Sequence, residues 1–448
     1  MASSRTRKLA FFAYYFYPAK SVGAKRMSEL AYHLSVREEI ENIEVYTLSL
    51  GEKEKDKSLV SNLKNIELIE INDSDGILRK VIHFWHKIRR PHSAKKRHTA
   101  NGLLGKCVDS PLENNYWLKI KRNFHALEAV VDESKLWSLK VFGSFLYRSF
   151  KGRADKIVVS GPPFSPMIAA WFVKKLFATP YILDFRDPWI GNRQRDPGSE
   201  SAVRSKIESY IEKKILFSAS EIVVASPGIK NVLARNYGAD ILSKVKVIYN
   251  GYDSDSYQKA DYENRKVSLL YAGMLYYNRN PLPLFEAIKR LKTKYKVPVG
   301  AFTFTLVGEC SHWAGIDLKN WVRTNGLDGE IVFVDSVPSA ELVPYIEKSN
   351  VLVNFSQGQV EQIPAKTYEY LATGRPMIVI TEDESDTAEI VRVTRSGVVV
   401  ENTIEDIFRT IEVLYTDITS GDFVYLVDQK RVAEFSRRKQ NEIYCEIV

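Results

Sequence analysis

One short segment carries residue types that can bind both hydroxyl groups and a phosphate. It runs Gly358-Gln-Val-Glu-Gln-Ile-Pro-Ala-Lys-Thr-Tyr-Glu-Tyr-Leu-Ala-Thr-Gly-Arg-Pro-Met377. Carboxylates accept hydrogen bonds in pairs, so Glu361 and Glu369 suit vicinal hydroxyls such as those of a hexose or a ribose. A phosphate could be received by the free amides near Ala365, with Lys366 adding a positive charge beside them. The segment therefore predicts a site for a phosphorylated, hydroxyl-rich ligand.

The elements around this segment would hold those side chains at the edge of a sheet. Val351–Phe355 is an apolar strand, Pro364 suits the first turn of a helix, and Gly374-Arg-Pro ends that helix. Glu361 then lies on the loop before the helix, and Glu369 lies about one turn inside it. In an open α/β sheet, ligands bind beyond the carboxyl ends of the strands, which is where this loop is expected.

The same rhythm of strand, turn and helix runs through the whole chain. Candidate strands are Leu9–Tyr15, Glu44–Leu50, Glu67–Ile71, Lys156–Ser160, Tyr181–Asp184, Glu221–Ala225 and Lys246–Tyr249, then Ser268–Tyr271, Thr303–Val307, Ile331–Val334, Val351–Phe355 and Met377–Ile380. Continuous apolar strands separated by helices indicate parallel sheets covered on both faces. The predicted fold class is α/β, with two Rossmann-like, doubly wound domains facing a cleft. The turn-forming run Tyr249-Asn-Gly-Tyr-Asp-Ser-Asp-Ser-Tyr257 places the boundary between residues 1–250 and 251–430.

Two further strand-end loops of the first half would face the same cleft. The loop after the first strand contains Gly23, and the helix that follows could present free amides, with Lys25 or Arg26 adding charge. A plain strand-to-helix turn is the alternative for this loop.

A second loop, Tyr181-Ile-Leu-Asp-Phe-Arg-Asp-Pro-Trp-Ile-Gly191, ends a buried strand with charged residues. Charges at that position are costly unless they are used or paired. Asp187 could bind or position an acceptor hydroxyl. The alternative is a structural ion pair of Arg186 with Asp184 or with Asp187.

These motifs together resemble retaining glycosyltransferases of family 4, which have the GT-B fold. In that family two glutamates separated by seven residues occupy this strand–loop–helix setting and are followed by a Gly-Lys/Arg-Pro turn, as Glu361 and Glu369 are here. Weaker pieces of the resemblance are the Asn250-Gly-Tyr-Asp253 crossover and the Ala272-Gly273 turn. The resemblance also implies that residues 431–448 form a C-terminal helix that crosses back to the first domain.

The resemblance implies a role for each matching residue. The first glutamate would contact the transferred sugar and the second the ribose of the nucleotide. Arg279 takes the position of a diphosphate-binding lysine, whereas Met274 replaces the neighbouring arginine, so Lys366 is the candidate substitute. The predicted catalytic residues are Asp187, Arg279, Lys366 and Glu361, and the predicted donor-binding residues are Gly23, Gly273, Arg279, Glu361, Ile363, Pro364, Ala365, Lys366 and Glu369.

The implied reaction moves a sugar, with retention, from a nucleotide-diphosphate sugar to a hydroxyl of a glycan or lipid-linked saccharide, in cell-envelope polysaccharide synthesis. No metal or other cofactor is expected, because the Asp73-Ser-Asp75 and Asp253-Ser-Asp255 triplets lie in turn-rich stretches of a fold that binds diphosphate with cations and helix amides. Two alternatives stay open: a nucleotide-sugar epimerase of the same fold, and a non-catalytic protein that binds lipid or phosphate.

Charge is concentrated in a basic helical insertion at about residues 72–155. The whole chain of 448 residues carries +9, and Arg79–Arg122 alone holds twelve Lys or Arg against two acids, a net +10. Residues 79–150 are therefore predicted to dock on an anionic membrane surface. The stretch Glu133–Phe150 predicts an amphipathic helix, whose aromatic residues either pack in the core or face a membrane. The candidates for membrane contact are Trp137, Phe142, Phe145 and Phe150.

The cysteines and the remaining composition limit the compartments and partners that the sequence predicts. Cys107, Cys310 and Cys445 are far apart and odd in number, which favours a reducing compartment and a cytoplasmic protein, peripheral at the membrane face. No apolar run approaches the roughly 18 residues that indicate a membrane-spanning helix. The aromatic residues form no recognised motif with the basic patch, so nucleic acid is not a predicted partner.

Overall fold

A computed structural model describes residues 6–51, 65–73, 131–191, 202–253, 265–276 and 278–448. Within these ranges the chain forms two α/β domains, each built on a parallel sheet. The basic residues 79–122, Asp75, Cys107 and Asp255 lie outside the described residues. No helix in the described ranges is long and apolar enough to cross a membrane.

The N-terminal domain has a seven-stranded sheet in the order β3-β2-β1-β4-β5-β6-β7. Its strands are β1 Arg7–Phe12, β2 Ile40–Leu48, β3 Ile66–Ile71, β4 Lys156–Gly161, β5 Tyr181–Phe185, β6 Glu221–Val224 and β7 Val245–Val247. Its helices are α1 Val22–Ser35, α2 Lys135–Ser149, α3 Ser165–Phe177, α4 Ala202–Ser218 and α5 Pro227–Tyr237, followed by a 3-10 turn at Ala239–Lys244. Every residue of β5 is buried, as expected for a strand covered on both faces.

The C-terminal domain has a six-stranded parallel sheet in the order β12-β9-β8-β13-β14-β15 and a separate two-stranded hairpin, β10-β11. Its strands are β8 Val267–Ala272, β9 Phe302–Val307, β10 His312–Trp313, β11 Ile316–Asp317, β12 Ile331–Val334, β13 Val351–Phe355, β14 Met377–Ile380 and β15 Gly397–Val400. Its helices are α6 Leu282–Tyr295, α7 Leu318–Thr324, α8 Ser339–Lys348, α9 Ala365–Ala372, α10 Asp386–Thr394, α11 Ile404–Ser420 and α12 Gln429–Glu434. Helix α13, Arg437–Cys445, ends the chain's regular structure.

The last helix packs on the first domain. Tyr444, Cys445 and Val448 belong to the apolar cluster that covers one face of the N-terminal sheet. The crossover segment is bound to the start of α13, because Arg437 donates to the carbonyls of Asn250 at 2.6 Å and Gly251 at 3.0 Å. A Cβ at position 251 would lie 2.8 Å from the Arg437 Cα, and φ there is +70°, so the contact requires glycine.

The aromatic residues of α2 mostly belong to the core. Trp137 and Phe145 are at most 1% exposed, and Phe145 packs edge-on against Phe12. Phe142 packs against Phe172 of the neighbouring helix α3. Of the two alternatives for Trp137 and Phe145, core packing is confirmed and membrane contact is wrong, because both fill the space between α2 and the sheet. Phe150, which is 89% exposed, is the one of the four that projects into solvent.

Candidate active site

A cleft of about 580 Å³ lies between the two domains and is lined by both. We call its first side the N-terminal wall, which is formed by Gly23, Arg186, Asp187 and Ser226. We call the opposite side the C-terminal wall, which is formed by Gln359, Gln362, Ile363, Pro364, Ala365 and Glu369. Six predicted site residues line the cleft: Gly23, Asp187, Ile363, Pro364, Ala365 and Glu369. The cleft lies at the carboxyl ends of β5 and β13, which is where an open α/β sheet binds ligands.

The loop after β13 and the start of α9 form the C-terminal wall. Pro364 is the residue before the helix, with extended φ and ψ of −56° and 140°, so α9 begins at Ala365 with its first amides directed to the loop side. Within α9 the Lys366 Nζ lies 2.6 Å from the Glu369 carboxylate, and the two side chains are 31% and 46% exposed. The structure therefore joins two predicted donor-binding residues in one ion pair on the helix surface.

Glu361 is bound to the opposite domain. Its carboxylate lies 3.6 Å from the guanidinium of Arg235 on α5, and its carbonyl accepts a hydrogen bond of 2.6 Å from Ser226. The side chain is only 13% exposed. The first of the two predicted glutamates is thus fixed at the junction of the two walls, beside the cleft lining.

Arg279 lies behind the C-terminal wall. Its guanidinium donates to the Tyr271 hydroxyl at 3.3 Å and to Gln359, a residue of that wall, at 3.4 Å. It also stacks over the Tyr276 ring at 4.8 Å from the centroid. Burial raises the pKa of Tyr271 to about 12 although Arg279 opposes the shift, so this hydroxyl stays protonated near neutral pH. Gly273 follows β8 directly. It is linked to Arg279 and Tyr271 because the Tyr271 hydroxyl donates a hydrogen bond to the carbonyl of Met274, the residue after Gly273.

Asp187 bridges the two walls. Its Oδ1 accepts a hydrogen bond of 2.6 Å from Gln362, the residue after Glu361. Burial raises the pKa of the Asp187 carboxyl above its ordinary value, and Arg186 and Gln362 only partly offset this. A carboxylate with a raised pKa beside a cleft is suited to hold or accept a proton.

The alternative ion pair of Asp184 with Arg186 is wrong. Asp184 is fully buried and is bonded by Arg26, whose Nε and Nη2 lie 3.0 Å and 2.9 Å from its Oδ2. Among the described residues no ion pair joins Arg186 to Asp187 either. The same geometry corrects the expectation that Arg26 adds charge for a phosphate, because its charge is already matched by Asp184 and its side chain is 6% exposed.

Lys25 and the first residue of the second acidic triplet are also engaged. Lys25 forms an ion pair with Asp253, and Arg437 bonds the same carboxylate at 2.8 Å. Burial raises the pKa of Asp253, but Arg437 and Lys25 outweigh it and hold that pKa below its ordinary value. In the region the structure covers, Lys25 is therefore a paired charge at the edge of the cleft.

Residues 226–228 and Asp386 make a junction that sequence reasoning missed. The Gly228 amide donates to the Asp386 carboxylate at 2.6 Å, which joins the N-terminus of α5 to the first turn of α10. A Cβ at position 228 would lie 2.5 Å from the Glu361 Cα, so only glycine lets the domains approach this closely. Burial raises the pKa of Asp386. The sequence signal for this junction was the turn Ser226-Pro227-Gly228, which directly follows a predicted strand.

Comparison with known proteins agrees with this architecture. Residues 266–417 match the family described as "Glycosyl transferases group 1". No curated protein sequence gives a significant match. Sucrose-phosphate synthase from Thermosynechococcus elongatus superposes with a TM-score of 0.63 at 15% identity, covering 98% of each chain. The apo lipopolysaccharide outer core galactosyltransferase WaaB superposes with a TM-score of 0.60 at 12% identity, covering 98% of each chain.

A third similar structure contains a ligand. Anabaena HepE in complex with UDP-glucose superposes with a TM-score of 0.57 at 13% identity, covering 98% of this chain and 99% of that one. At such low identity these likenesses show the fold, while the family match covers the C-terminal domain, which carries Glu361 and Glu369. The chain has the GT-B fold, and its C-terminal domain matches the group 1 glycosyltransferases, which together support a glycosyl-transfer function.

Proposed function

We propose that this protein is a retaining, metal-independent glycosyltransferase. It moves a sugar from a nucleotide-diphosphate sugar to a hydroxyl of a glycan or lipid-linked saccharide, in the synthesis of a cell-envelope polysaccharide. One observation carries the proposal: the Asp187–Gln362 bond places a carboxylate of the N-terminal wall directly beside the glutamate loop of the C-terminal wall. An acceptor hydroxyl and a sugar donor bound to opposite walls would meet there.

Each wall has a separate part in the proposed reaction. On the C-terminal wall Glu369 holds the ribose and Glu361 the transferred sugar, and Lys366, Arg279 and the first amides of α9 stabilise the charge of the departing diphosphate. On the N-terminal wall Asp187 accepts a hydrogen bond from the acceptor hydroxyl. The bond from the anomeric carbon to the diphosphate breaks as the bond to the acceptor oxygen forms.

The Lys366–Glu369 pair is compatible with this arrangement. Ion pairs three or four residues apart on an exposed helix contribute only about 0.2–0.5 kcal/mol. Lys366 can therefore exchange the Glu369 carboxylate for a phosphate at little cost in free energy. A bound diphosphate would then hold Lys366, and the released Glu369 would be available for a ribose hydroxyl. The use of a nucleotide donor is supported by the UDP-glucose in the similar HepE structure.

Nucleotide binding is the first test. The melting temperature should rise with one of UDP, GDP or ADP, because a ligand that binds only the folded state stabilises it. The Glu369→Ala variant should lose that rise, whereas Glu442→Ala, an exposed glutamate of α13, should keep it. Equal melting temperatures with and without all three nucleotides would contradict a nucleotide-sugar donor.

The product distinguishes transfer from the alternatives. Incubation with the matching nucleotide sugar and an acceptor should yield a glycoside whose anomeric configuration, measured by NMR, equals that of the donor. Full activity should persist in excess chelator. An inverted product, or an absolute need for manganese or magnesium, would refute the corresponding part of the proposal. Release of free sugar without any acceptor would favour the epimerase alternative.

Membrane docking through residues 79–150 belongs to the same proposal. The net +10 of the basic stretch supports it, since each cation near an anionic surface contributes roughly 1 kcal/mol. The exposed Phe150 and Tyr147 at the end of α2 add apolar surface, with exposed fractions of 89% and 67%, and the Lys151 ammonium lies 5.7 Å from the Tyr147 ring centroid. Docking here would bring the N-terminal domain to a lipid-linked acceptor.

Vesicle sedimentation tests the docking. The protein should sediment with vesicles containing anionic lipid at low salt and should be released at 1 M salt, where the Debye length falls to about 3 Å. Neutralising Lys95, Lys96 and Arg97 should weaken sedimentation, whereas Lys319→Gln, an exposed lysine of the second domain, should not. Equal binding to neutral and anionic vesicles, or no binding to either, would contradict docking and leave the glycosyltransferase proposal standing with a soluble acceptor.

A further inference from the structure

One cation of the cleft differs from its neighbours. In the part of the chain that the structure covers, four basic side chains line the cleft. Lys25 and Arg437 pair with Asp253, and Arg26 pairs with a buried aspartate. The fourth, Arg186, has no hydrogen bond or ion pair to a carboxylate within the described ranges. Asp187 and Asp184 act on its charge only through space, and burial outweighs their effect, so its pKa is lowered.

Arg186 is held by backbone carbonyls instead. Its Nη1 donates to the carbonyl of Gly23 at 3.0 Å, and its Nη2 donates to that of Pro162. Its Nε is buried and has no hydrogen-bond partner among the residues that the structure describes. The adjacent carboxylate of Asp187 does not bond it directly and instead accepts a hydrogen bond from Gln362. Burial accordingly lowers the pKa of Arg186.

The geometry leaves Arg186 able to bind a ligand. A guanidinium has five N–H donors, of which the two carbonyl bonds use two. Its planar shape matches a phosphate with two parallel hydrogen bonds. Holding a partly buried charge without a bonded carboxylate is costly, so a bound anionic ligand would offset that cost.

Gly23 makes room for this guanidinium. A Cβ at position 23 would lie 2.4 Å from the Arg186 Nη1, which is closer than any real contact. Any side chain there would push the guanidinium off the Gly23 carbonyl. The backbone carbonyl of Gly23 and its missing side chain therefore hold Arg186 in place, while its predicted role toward a donor phosphate stays a prediction.

We infer that Arg186 forms an anion subsite on the N-terminal wall that binds a phosphate group of the acceptor. The inference rests on the proposed function, and it assigns the acceptor to phosphate-bearing saccharides, including those linked to a carrier through a diphosphate. The donor diphosphate is held on the C-terminal wall by Arg279 and Lys366. The two phosphate positions are therefore on opposite walls, and Asp187, next in sequence to Arg186, is bonded by Gln362 of the glutamate loop.

Pyrophosphate is the probe that tests the subsite. Calorimetric titration of pyrophosphate is carried out on the full chain, first alone and then with the nucleoside diphosphate that raises the melting temperature present at saturation. Saturating nucleotide blocks the donor diphosphate site. Wild-type protein should still bind one pyrophosphate. Arg186→Gln should bind it at least about tenfold more weakly, because hydrogen bonds to charged groups are stronger than those between neutral groups.

Two further variants guard against a merely structural effect. Arg186→Lys keeps the positive charge but loses the planar guanidinium that can donate two parallel hydrogen bonds. Its affinity for pyrophosphate should therefore lie between those of the wild type and Arg186→Gln. Gly23→Ala keeps Arg186 but displaces it, and should also weaken binding, while alanine in a helix leaves the fold intact. Arg323→Gln, an exposed arginine of α7, is the matched control and should bind pyrophosphate like wild type. Nucleotide affinity should change less than twofold in the two Arg186 variants and in Arg323→Gln.

The outcomes separate this inference from the proposed function. If saturating nucleotide abolishes pyrophosphate binding in the wild type, or if Arg186→Gln loses nucleotide and pyrophosphate affinity equally, the phosphate is the donor's and the inference is overturned. If no nucleotide binds but pyrophosphate binding still depends on Arg186, the proposed donor fails while the anion subsite stands. Equal pyrophosphate affinity in wild type and Arg186→Gln overturns the subsite whatever the nucleotide result.

Discussion

The two walls of the cleft hold their charges in opposite ways. Behind the N-terminal wall, Arg26 and Asp184 form a buried pair with exposed fractions of 6% and 0%. On the C-terminal wall, Lys366 and Glu369 form a pair on one helix turn with exposed fractions of 31% and 46%. A buried pair is costly to break, whereas a surface pair contributes little. The first wall is therefore fixed before a ligand arrives, and the second can exchange its partners.

This difference corresponds to what each wall would do in glycosyl transfer. A preformed N-terminal wall keeps Asp187 and Arg186 at set positions for the acceptor, which reduces the reorganisation needed during the reaction. An adaptable C-terminal wall allows a charged diphosphate to enter and leave. The junction through Gly228 and Asp386 determines how closely the two walls meet.

Breaking the buried pair should give the largest effect. Asp184→Ala leaves Arg26 buried and unpaired, so we expect the free energy of unfolding to fall by about 3–5 kcal/mol. Urea unfolding measures this, with Glu369→Ala as the matched control from the surface pair, for which a loss below about 0.5 kcal/mol is expected. Equal losses in the two variants would remove the contrast between the walls.

Breaking the surface pair should affect turnover and not stability. Lys366→Ala and Glu369→Ala should each lower kcat/KM by about 100-fold, because each removes a group that we propose binds the donor or its leaving diphosphate. The melting temperature of each should stay close to that of the wild type. Steady-state kinetics at saturating donor provide the measurement, and near-normal rates for either variant would contradict its place in the site.

Separating the walls at their junction should give an intermediate effect. Gly228→Ala puts a Cβ 2.5 Å from the Glu361 Cα, and overpacking of this kind costs about 1–3 kcal/mol. The domains should move apart, and the KM for the donor sugar nucleotide should rise about tenfold. Gly143→Ala is the matched control, because no atom of the described residues lies within 4 Å of a Cβ at that helical position. Unchanged kinetics in Gly228→Ala would show that the junction does not shape the site.

The smallest expected effect is a change in pH dependence. In the proposed reaction the ionised form of Asp187 accepts the acceptor hydroxyl's hydrogen bond, so kcat/KM should fall as pH decreases through the raised pKa of Asp187, above its ordinary value of 3.8. The residual activity of Asp187→Asn should lack that acidic limb.

Stability should move with pH in the opposite direction. The folded protein holds the Asp187 proton more tightly than the unfolded chain does, so this group's contribution is full below pH 3.8 and is lost as pH rises through the raised pKa. In Asp187→Asn, the free energy of unfolding measured in urea should no longer fall as pH rises from 3.8 through the raised pKa of Asp187. An unchanged profile in the variant would assign the raised pKa to another group.

The sequence was sufficient where local pattern and burial agree. The fully buried strands β5 and β13 read as continuous apolar runs, because both of their faces are covered. The start of α9 followed from Pro364, whose fixed φ suits the beginning of a helix. These local signals were enough to predict two parallel-sheet domains.

Helix α11 shows tertiary packing acting against local preference. Its sequence, Ile404–Ser420, is rich in Ile and Thr, which favour strands by local preference. Tertiary packing decides in favour of the helix, because Ile407, Ile411, Leu414 and Ile418 recur at helical spacing and are buried against the C-terminal sheet.

The chain by itself determined that charged residues gather at strand ends, and the tertiary structure alone decided which of them line the cleft and which are paired. Arg26 and Arg186 are 160 residues apart in sequence and both lie near Asp184, yet one bonds it and the other does not. Sequence spacing predicts that strand-end charges gather at one edge of a sheet, because parallel strands share their carboxyl ends. It cannot predict which charges pair, since a buried ion pair depends on bond-length geometry between distant segments.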